Sequence, residues 1–100
     1  MVITDNKSLN YSKKTRRKKN IRFLILHYTG MQSARVSLNR LKNPKFKVSC
    51  HYFIERNGKV FRMVEDNKTA WHAGKSKWKH FNNLNKYSIG IEMQNKGHRI

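Results

Sequence analysis

The chain predicts an α/β fold, a mixed central sheet with flanking helices, on three observations. Residues 21–27 form an almost unbroken apolar run. Asn57-Gly58 lies between two β-prone runs at residues 50–55 and 59–64. Residues 88–95 alternate at period two, with Ile89, Ile91 and Met93 on one face and Ser88, Gly90, Glu92 and Gln94 on the other.

Each element follows from local chemistry. Residues 1–20 carry seven Lys or Arg against Asp5 and end in the run Lys13-Lys14-Thr15-Arg16-Arg17-Lys18-Lys19. Such a segment buries too little apolar area to offset its ordering entropy, so it is expected to be a basic flexible tail. The folded domain is expected to span 21–100. Residues 21–27, apolar on both faces, predict a central strand covered on both sides, with His27 at its exit. Thr29-Gly30 turns the chain. Ser33 is an expected N-cap for a helix whose stripe is Val36, Leu38 and Leu41, and Asn43-Pro44 ends it. Asn57-Gly58 predicts a hairpin with a type I′ turn. Residues 70–85 are rich in aromatic, small and amide side chains without periodicity, which predicts an ordered functional loop on a rigid sheet.

Composition narrows the function classes. At 100 residues and 37% hydrophobic, one small domain is the limit, below the usual apolar share of about 45–50%. The formal charge of +18 favours anionic partners, whether nucleic acid, phospholipid or acidic wall polymer, without choosing among them. The chain lacks the patterns that mark base-reading modules. Cys50 is the sole cysteine, so no intrachain disulfide can form, and it reads as a small core residue. The longest apolar stretch, Phe23-Leu24-Ile25-Leu26, is far short of the ~20 residues of a membrane span. The first residues lack the basic and apolar regions of a signal peptide, so the expected compartment for the chain as given is the cytoplasm, or the periplasm or wall if the true start lies upstream.

Two groups carry the chemistry. Glu92 is one of five acids among 23 Lys and Arg, and the strand pattern turns it toward a polar groove, for proton transfer or for pairing with a cation. Of the five histidines, His27, His51, His72, His80 and His98, no two form a HExxH or HxxxH pair, so a metal site would have to be assembled across the fold. A Glu and a His on neighbouring strand ends suit hydrolysis in which zinc polarises a carbonyl and a carboxylate takes the proton of water. Trp71 is either a groove wall or a core anchor.

Four segments carry a resemblance: Leu26-His27-Tyr28-Thr29-Gly30-Met31, Val48-Ser49-Cys50-His51-Tyr52, Ala70-Trp71-His72-Ala73-Gly74 and Asn85-Lys86-Tyr87-Ser88-Ile89-Gly90-Ile91-Glu92. In order and spacing they resemble motifs of the zinc-dependent N-acetylmuramoyl-L-alanine amidases of type 2, related to phage lysozyme-like amidases and peptidoglycan recognition proteins. The resemblance implies hydrolysis of the amide between N-acetylmuramic acid and L-alanine in peptidoglycan or muropeptides, as in bacterial wall catabolism and muropeptide recycling. It implies His27 as a zinc ligand and Glu92 as the catalytic acid that activates or orients water. Trp71, Ala70 and His72 are implied as substrate-binding, while His51 and Tyr52 fall in a partly structural motif. The family completes its zinc with a second His and an Asp or Cys well downstream of the last strand, and His98 lies too close to it to match. The resemblance therefore implies an amidase fold whose C-terminal part is missing, inactive as this fragment. The alternative is a noncatalytic module that binds peptidoglycan or muropeptide through Trp71 and the basic surface.

Overall fold

The computed structural model describes residues 2–31, 33–74 and 76–95. In chain order its elements are β1 (Ile3–Asp5), β2 (Tyr11–Ser12), β3 (Phe23–Tyr28), α1 (Ala34–Lys42), β4 (Tyr52–Ile54), β5 (Val60–Arg62), β6 (Thr69–Ala70), β7 (Lys77–Trp78), β8 (Phe81–Asn82) and β9 (Ser88–Met93). Five strands make one sheet in the order β1-β5-β4-β9-β3. Strand β9 runs parallel to both β3 and β4, β4 and β5 form an antiparallel hairpin, and β1 joins β5 in parallel. The mixed α/β architecture agrees with the sequence reading. No described helix is long and apolar enough to cross a membrane.

The N-terminal segment departs from the flexible-tail expectation. β1 is an edge strand, and Ser8 and Asn10 are almost fully buried. The Asn10 amide donates to the carbonyls of Asn43 (3.0 Å) and Val48 (2.9 Å), and the Ser8 hydroxyl donates to the Leu41 carbonyl. Ser49 in turn donates to the Asn10 carbonyl. Composition missed this because the segment is held by hydrogen bonds from polar side chains, which satisfy loop carbonyls that would otherwise be buried without partners.

Strand β3 is at the sheet edge, not its centre. Phe23, Ile25 and His27 point to the packed face, while Leu24 (62% exposed), Leu26 and Tyr28 stay open to solvent. Apolar residues on both faces signal two faces that favour burial, but they do not supply the cover. In β9 the polar face is the more covered one, with Ser88, Gly90 and Gln94 buried, while Ile89, Ile91 and Met93 are half-buried beside the open side of β3.

Helix α1 begins as expected, with the Ser33 hydroxyl accepting from the Val36 N–H at 3.2 Å. Val36 itself is 54% exposed. The inward stripe is Ala34, Ser37, Leu38 and Leu41, because 100° per residue carries position 36 to the opposite side from position 34. Ser37 tolerates burial by donating to Gln94 Oε1 at 2.8 Å, and the Gln94 amide donates to the Met31 carbonyl at 2.8 Å. Gln94 thereby ties both the helix and the loop after β3 to the end of β9. The apolar core is Leu41, Cys50, Phe53, Phe61 and Met63, with Ala34, Leu38 and Val48 packed against it.

The hairpin forms with a different turn. Gly58 alone is left-handed (φ +90°); its N–H donates to the Glu55 carbonyl, and Glu55 N–H donates to the Lys59 carbonyl. This is the pattern of a three-residue loop with a glycine bulge, so Asn57 is spared the positive φ that a type I′ turn demands. Its side chain accepts from Lys59 N–H instead. Residues 70–85 contain the short hairpin β7–β8, anchored where Phe81 meets Phe23 and Tyr87 edge-to-face, each at 5.1 Å.

Asn10→Ala should lower the unfolding free energy in urea by about 2 kcal/mol or more, because two buried loop carbonyls lose their donor. An unchanged urea midpoint would mean that the N-terminal segment contributes nothing to the domain.

Candidate functional site

Parallel pairing of β3 and β9 builds the site. Their register runs from Phe23 opposite Ser88 to Tyr28 opposite Met93 and sets His27 directly opposite Glu92. Registered neighbours in a sheet share a face, so imidazole and carboxylate emerge side by side. On the other flank of β9, Phe53 of β4 is the partner of Glu92. The carboxylate thus lies between a histidine and a core phenylalanine, and burial pushes its pKa up to about 7. Among the described residues the only ion pair is Arg62–Asp5, so Glu92 is not paired with any described cation.

His72 covers the pair. Its Nδ1 is 3.0 Å from His27 Nε2, and its Nε2 is 3.0 Å from Ser88 Oγ. The Asn85 carboxamide oxygen accepts from the N–H groups of both His72 and Ala73, at 3.1 and 2.8 Å, pinning the loop. The ring lies against Gly90, where a methyl would come within 2.7 Å of Nδ1 and closer still to the ring carbons. Glycine here makes room for histidine. Burial first, then the neighbouring His27, His51 and Arg16, pushes the His72 pKa down to about 3. Burial also lowers His27.

His51 lies behind this layer with no solvent exposure. Its Nδ1 accepts from Gly90 N–H at 3.0 Å, so in the neutral ring Nε2–H donates to the Lys68 carbonyl at 2.8 Å. Both nitrogens are used in joining strands, in keeping with a structural role. Its pKa is lowered, chiefly by burial and further by Arg16. Arg16, hidden in the basic run, donates from Nε to the Asp66 carbonyl and from one terminal nitrogen to the Asn85 carbonyl. The other terminal nitrogen is 3.1 Å from His51 Nε2.

His27, His72, Glu92 and Trp71 line one cavity of about 220 Å³. Trp71 is half-buried; its indole N–H donates to Ser12 Oγ at 3.1 Å, and its backbone N–H donates to Ser49 Oγ at 2.9 Å. It is both anchored and a wall. Ala70 is fully buried in β6, paired with Tyr11, and does not line that cavity. On the other side of Trp71 a second cavity of about 600 Å³ is lined by Lys14, Arg16, Arg17, Lys86 and Tyr87, and by no carboxylate. His80 stacks on Phe81 away from the site, Trp78 is exposed, and His98 lies outside the described residues.

The chemistry of a histidine and a carboxylate at strand ends suits zinc. The number of donors does not, because among the described residues no three His, Cys, Asp or Glu side chains converge, whereas a catalytic zinc takes about three protein ligands. What the described residues do assemble is a half-buried carboxylate poised to exchange a proton near neutral pH, beside a neutral histidine pair and an aromatic wall.

Sequence reasoning missed Arg16, Ser37 and Gln94 as supports of the site. Asn85, whose place just ahead of the last strand marks it as shaping the loop that enters it, does hold that loop.

Residues 17–99 match the family model described as N-acetylmuramoyl-L-alanine amidase. Among curated proteins the chain is 38% identical over 84 residues to N-acetylmuramoyl-L-alanine amidase AmiD of Escherichia coli K12, an alignment covering 77% of this chain and 29% of AmiD. It is 42% identical over 50 residues to 1,6-anhydro-N-acetylmuramyl-L-alanine amidase AmpD of Haemophilus influenzae, covering 50% of this chain and 27% of AmpD. The matched residues therefore span less than a third of the length of these two relatives. Among solved structures, AmpDh3 of Pseudomonas aeruginosa in complex with anhydromuramic pentapeptide superimposes with a TM-score of 0.71 at 32% identity, over 91% of this chain and 39% of that one. AmiD of E. coli, in complex with the substrate anhydro-N-acetylmuramic acid-L-Ala-D-gamma-Glu-L-Lys, gives 0.70 at 33% identity, over 88% and 35%.

Two measurements on the metal-free chain test this geometry. Gly90→Ala should destabilise by about 1–3 kcal/mol in urea, since the ring beneath must shift. The second concerns pH. His27, His51 and His72 sit below the ordinary 6.5 when folded, so the stability tied to their neutral forms is complete above pH 6.5 and falls away as pH drops. Glu92 acts in the opposite sense, since its raised value favours the folded state in acid and costs stability as pH rises from 4.5 toward 7. Urea midpoints should therefore decline below pH 6.5, and more steeply in Glu92→Gln, which removes the opposing term. An identical slope in that variant would show that Glu92 titrates normally.

Proposed function

The chain belongs to the N-acetylmuramoyl-L-alanine amidase family, and we propose that it carries the His27–Glu92 half of a zinc-dependent site for cleaving the amide between N-acetylmuramic acid and L-alanine in peptidoglycan or muropeptides. The observation that carries this reading is the register of two parallel strands, which sets His27 opposite Glu92 at the floor of a cavity walled by Trp71 and His72. Amide hydrolysis needs a base that takes a proton from water and an acid that returns one to the leaving amine. A single carboxyl titrating near 7 serves for both. In this reading Glu92 removes the proton from the attacking water, then delivers it to the nitrogen of the departing L-alanyl peptide.

Zinc, when bound, would polarise the scissile carbonyl and acidify the water. His27 is the ligand these residues offer, and the rest of the ligand set must come from side chains beyond those described. The faces of Trp71 give a sugar ring an apolar surface. Ala70, its neighbour in the chain, is a buried residue of β6.

A second reading, a noncatalytic wall-binding module, draws support from the larger cavity, whose four cations and two aromatics suit an anionic glycan without any chemistry.

The deciding assay presents anhydro-N-acetylmuramyl-L-alanyl peptide to the protein with added zinc and follows the two products by mass spectrometry. The amidase reading expects turnover that a chelator abolishes and that Glu92→Gln lowers by about 10²–10⁴-fold. Turnover unchanged in Glu92→Gln would remove the proposed role of that residue. No turnover, combined with salt-sensitive cosedimentation with purified peptidoglycan that weakens in Trp71→Ala, would favour the binding module.

A further inference from the structure

We propose that His72 is a positioning residue for His27, accepting the His27 Nε2–H so that His27 presents Nδ1 as its free electron pair. The inference deepens the reading of this site as hydrolytic, but it is tested without activity.

The argument is a count of protons along one chain of contacts. Ser88 Oγ lies 2.7 Å from the Leu84 carbonyl, which can only accept, so the single hydroxyl proton of Ser88 is committed there. Toward His72, Ser88 can therefore only accept. At 3.0 Å the His72 Nε2 must carry the proton that it donates. In a neutral imidazole the other nitrogen then has a lone pair, so His72 Nδ1 is an acceptor. His27 Nε2, 3.0 Å away, must be protonated to complete the contact. The proton of neutral His27 is thus fixed on Nε2, and Nδ1, for which no hydrogen bond is found among the described residues, keeps its lone pair.

The relay cannot easily reverse, because each link is held separately. Ser88 is fully buried at the start of β9, with its hydroxyl returned to the turn that precedes it. The His72 backbone is fastened by Asn85, and its ring is seated over Gly90, where any side chain would displace it. The two imidazoles meet edge-to-face, with ring centroids 5.2 Å apart. A histidine set between a hydroxyl and a second histidine in this way defines both tautomer and orientation, the task that outer-shell partners perform for a functional histidine. His72 then acts through His27; its contribution does not require contact with substrate.

The test is long-range proton–nitrogen NMR on the metal-free chain with ¹⁵N-labelled histidine, which reads the protonated nitrogen of each ring directly. The expected result is His27 and His72 both as Nε2–H tautomers, with His27 biased about tenfold or more by its hydrogen bond. His72→Ala should lower the His27 bias to the weaker intrinsic Nε2–H preference of a free histidine. His72→Asn, whose side-chain oxygen can occupy the place of Nδ1, should restore the bias, a rescue that a merely space-filling role would not give. Should His72→Ala fail to fold, Ser88→Ala provides the second arm: it removes the acceptor for His72 Nε2–H and should loosen the tautomers of both rings. Finding His27 protonated on Nδ1, or a bias unaffected by either substitution, would overturn the proposal. A correct tautomer pattern in a protein that never cleaves muropeptide would leave this inference standing and sink the amidase reading alone.

Discussion

Everything at the site depends on the parallel pairing of β3 with β9. Six registered pairs, continued by Arg22 N–H to the Tyr87 carbonyl and Thr29 N–H to the Met93 carbonyl, fix which side chains share a face. A slip of one residue would move Glu92 to the open face beside Leu26 and leave His27 facing an isoleucine or methionine. The register is kept by unequal faces. Ser88 and Gln94 have partners that no apolar side chain could serve, Leu84 and His72 for Ser88 and Ser37 with Met31 for Gln94, while Gly90 leaves the space that the His72 ring fills.

That dependence explains how a small, highly charged chain holds a defined site with so modest a core. Its apolar centre comprises five buried residues and a few partners, whereas the buried polar set includes Ser8, Asn10, Ser37, Ser49, His51, Ser88 and Gln94. Among the described residues every buried side-chain nitrogen and oxygen has a hydrogen-bond partner. A fully satisfied polar network is directional, so it selects one arrangement of loops where greasy packing would tolerate several. The N-terminal segment belongs to that network. Asn10 and Ser8 clamp the end of α1, Ser12 holds the Trp71 indole, and Arg16 ties the Asp66 turn to the strand entry at Asn85.

The electrostatics of the site also run against the composition. In a chain of formal charge +18, a carboxylate would be expected to find a cation and titrate low. Glu92 is instead raised, because burial beside Phe53 and His27 dominates. Arg40 lines the same cavity without forming an ion pair with it, and Lys14, Arg16, Arg17 and Lys86 line a second cavity that shares Trp71. One small domain thus combines a carboxyl able to exchange protons at neutral pH with a surface that attracts anions.

The sequence by itself determined the elements and the chemical cast. The apolar run of β3, the Ser33 cap, the Asn-Gly hairpin and the alternation around Glu92 are all local patterns, and local patterns record which backbone conformation each residue favours. The histidines and Glu92 could be singled out for the same reason, since their types and spacing are visible in one dimension. The tertiary structure decided what surrounds each of them. The edge position of β3, the burial of the polar face of β9 and the docking of residues 2–20 rest on contacts between residues distant in the chain, such as Asn10 with Val48 and Arg16 with Asn85. Periodicity states that a face is distinct but not which side is covered. Composition registers the charge of Arg16 but not the carbonyls that receive it. Even Gly90, readable as a gap in a strand, has its reason only in the ring of His72, eighteen residues earlier in the chain and in contact with it only in the folded state.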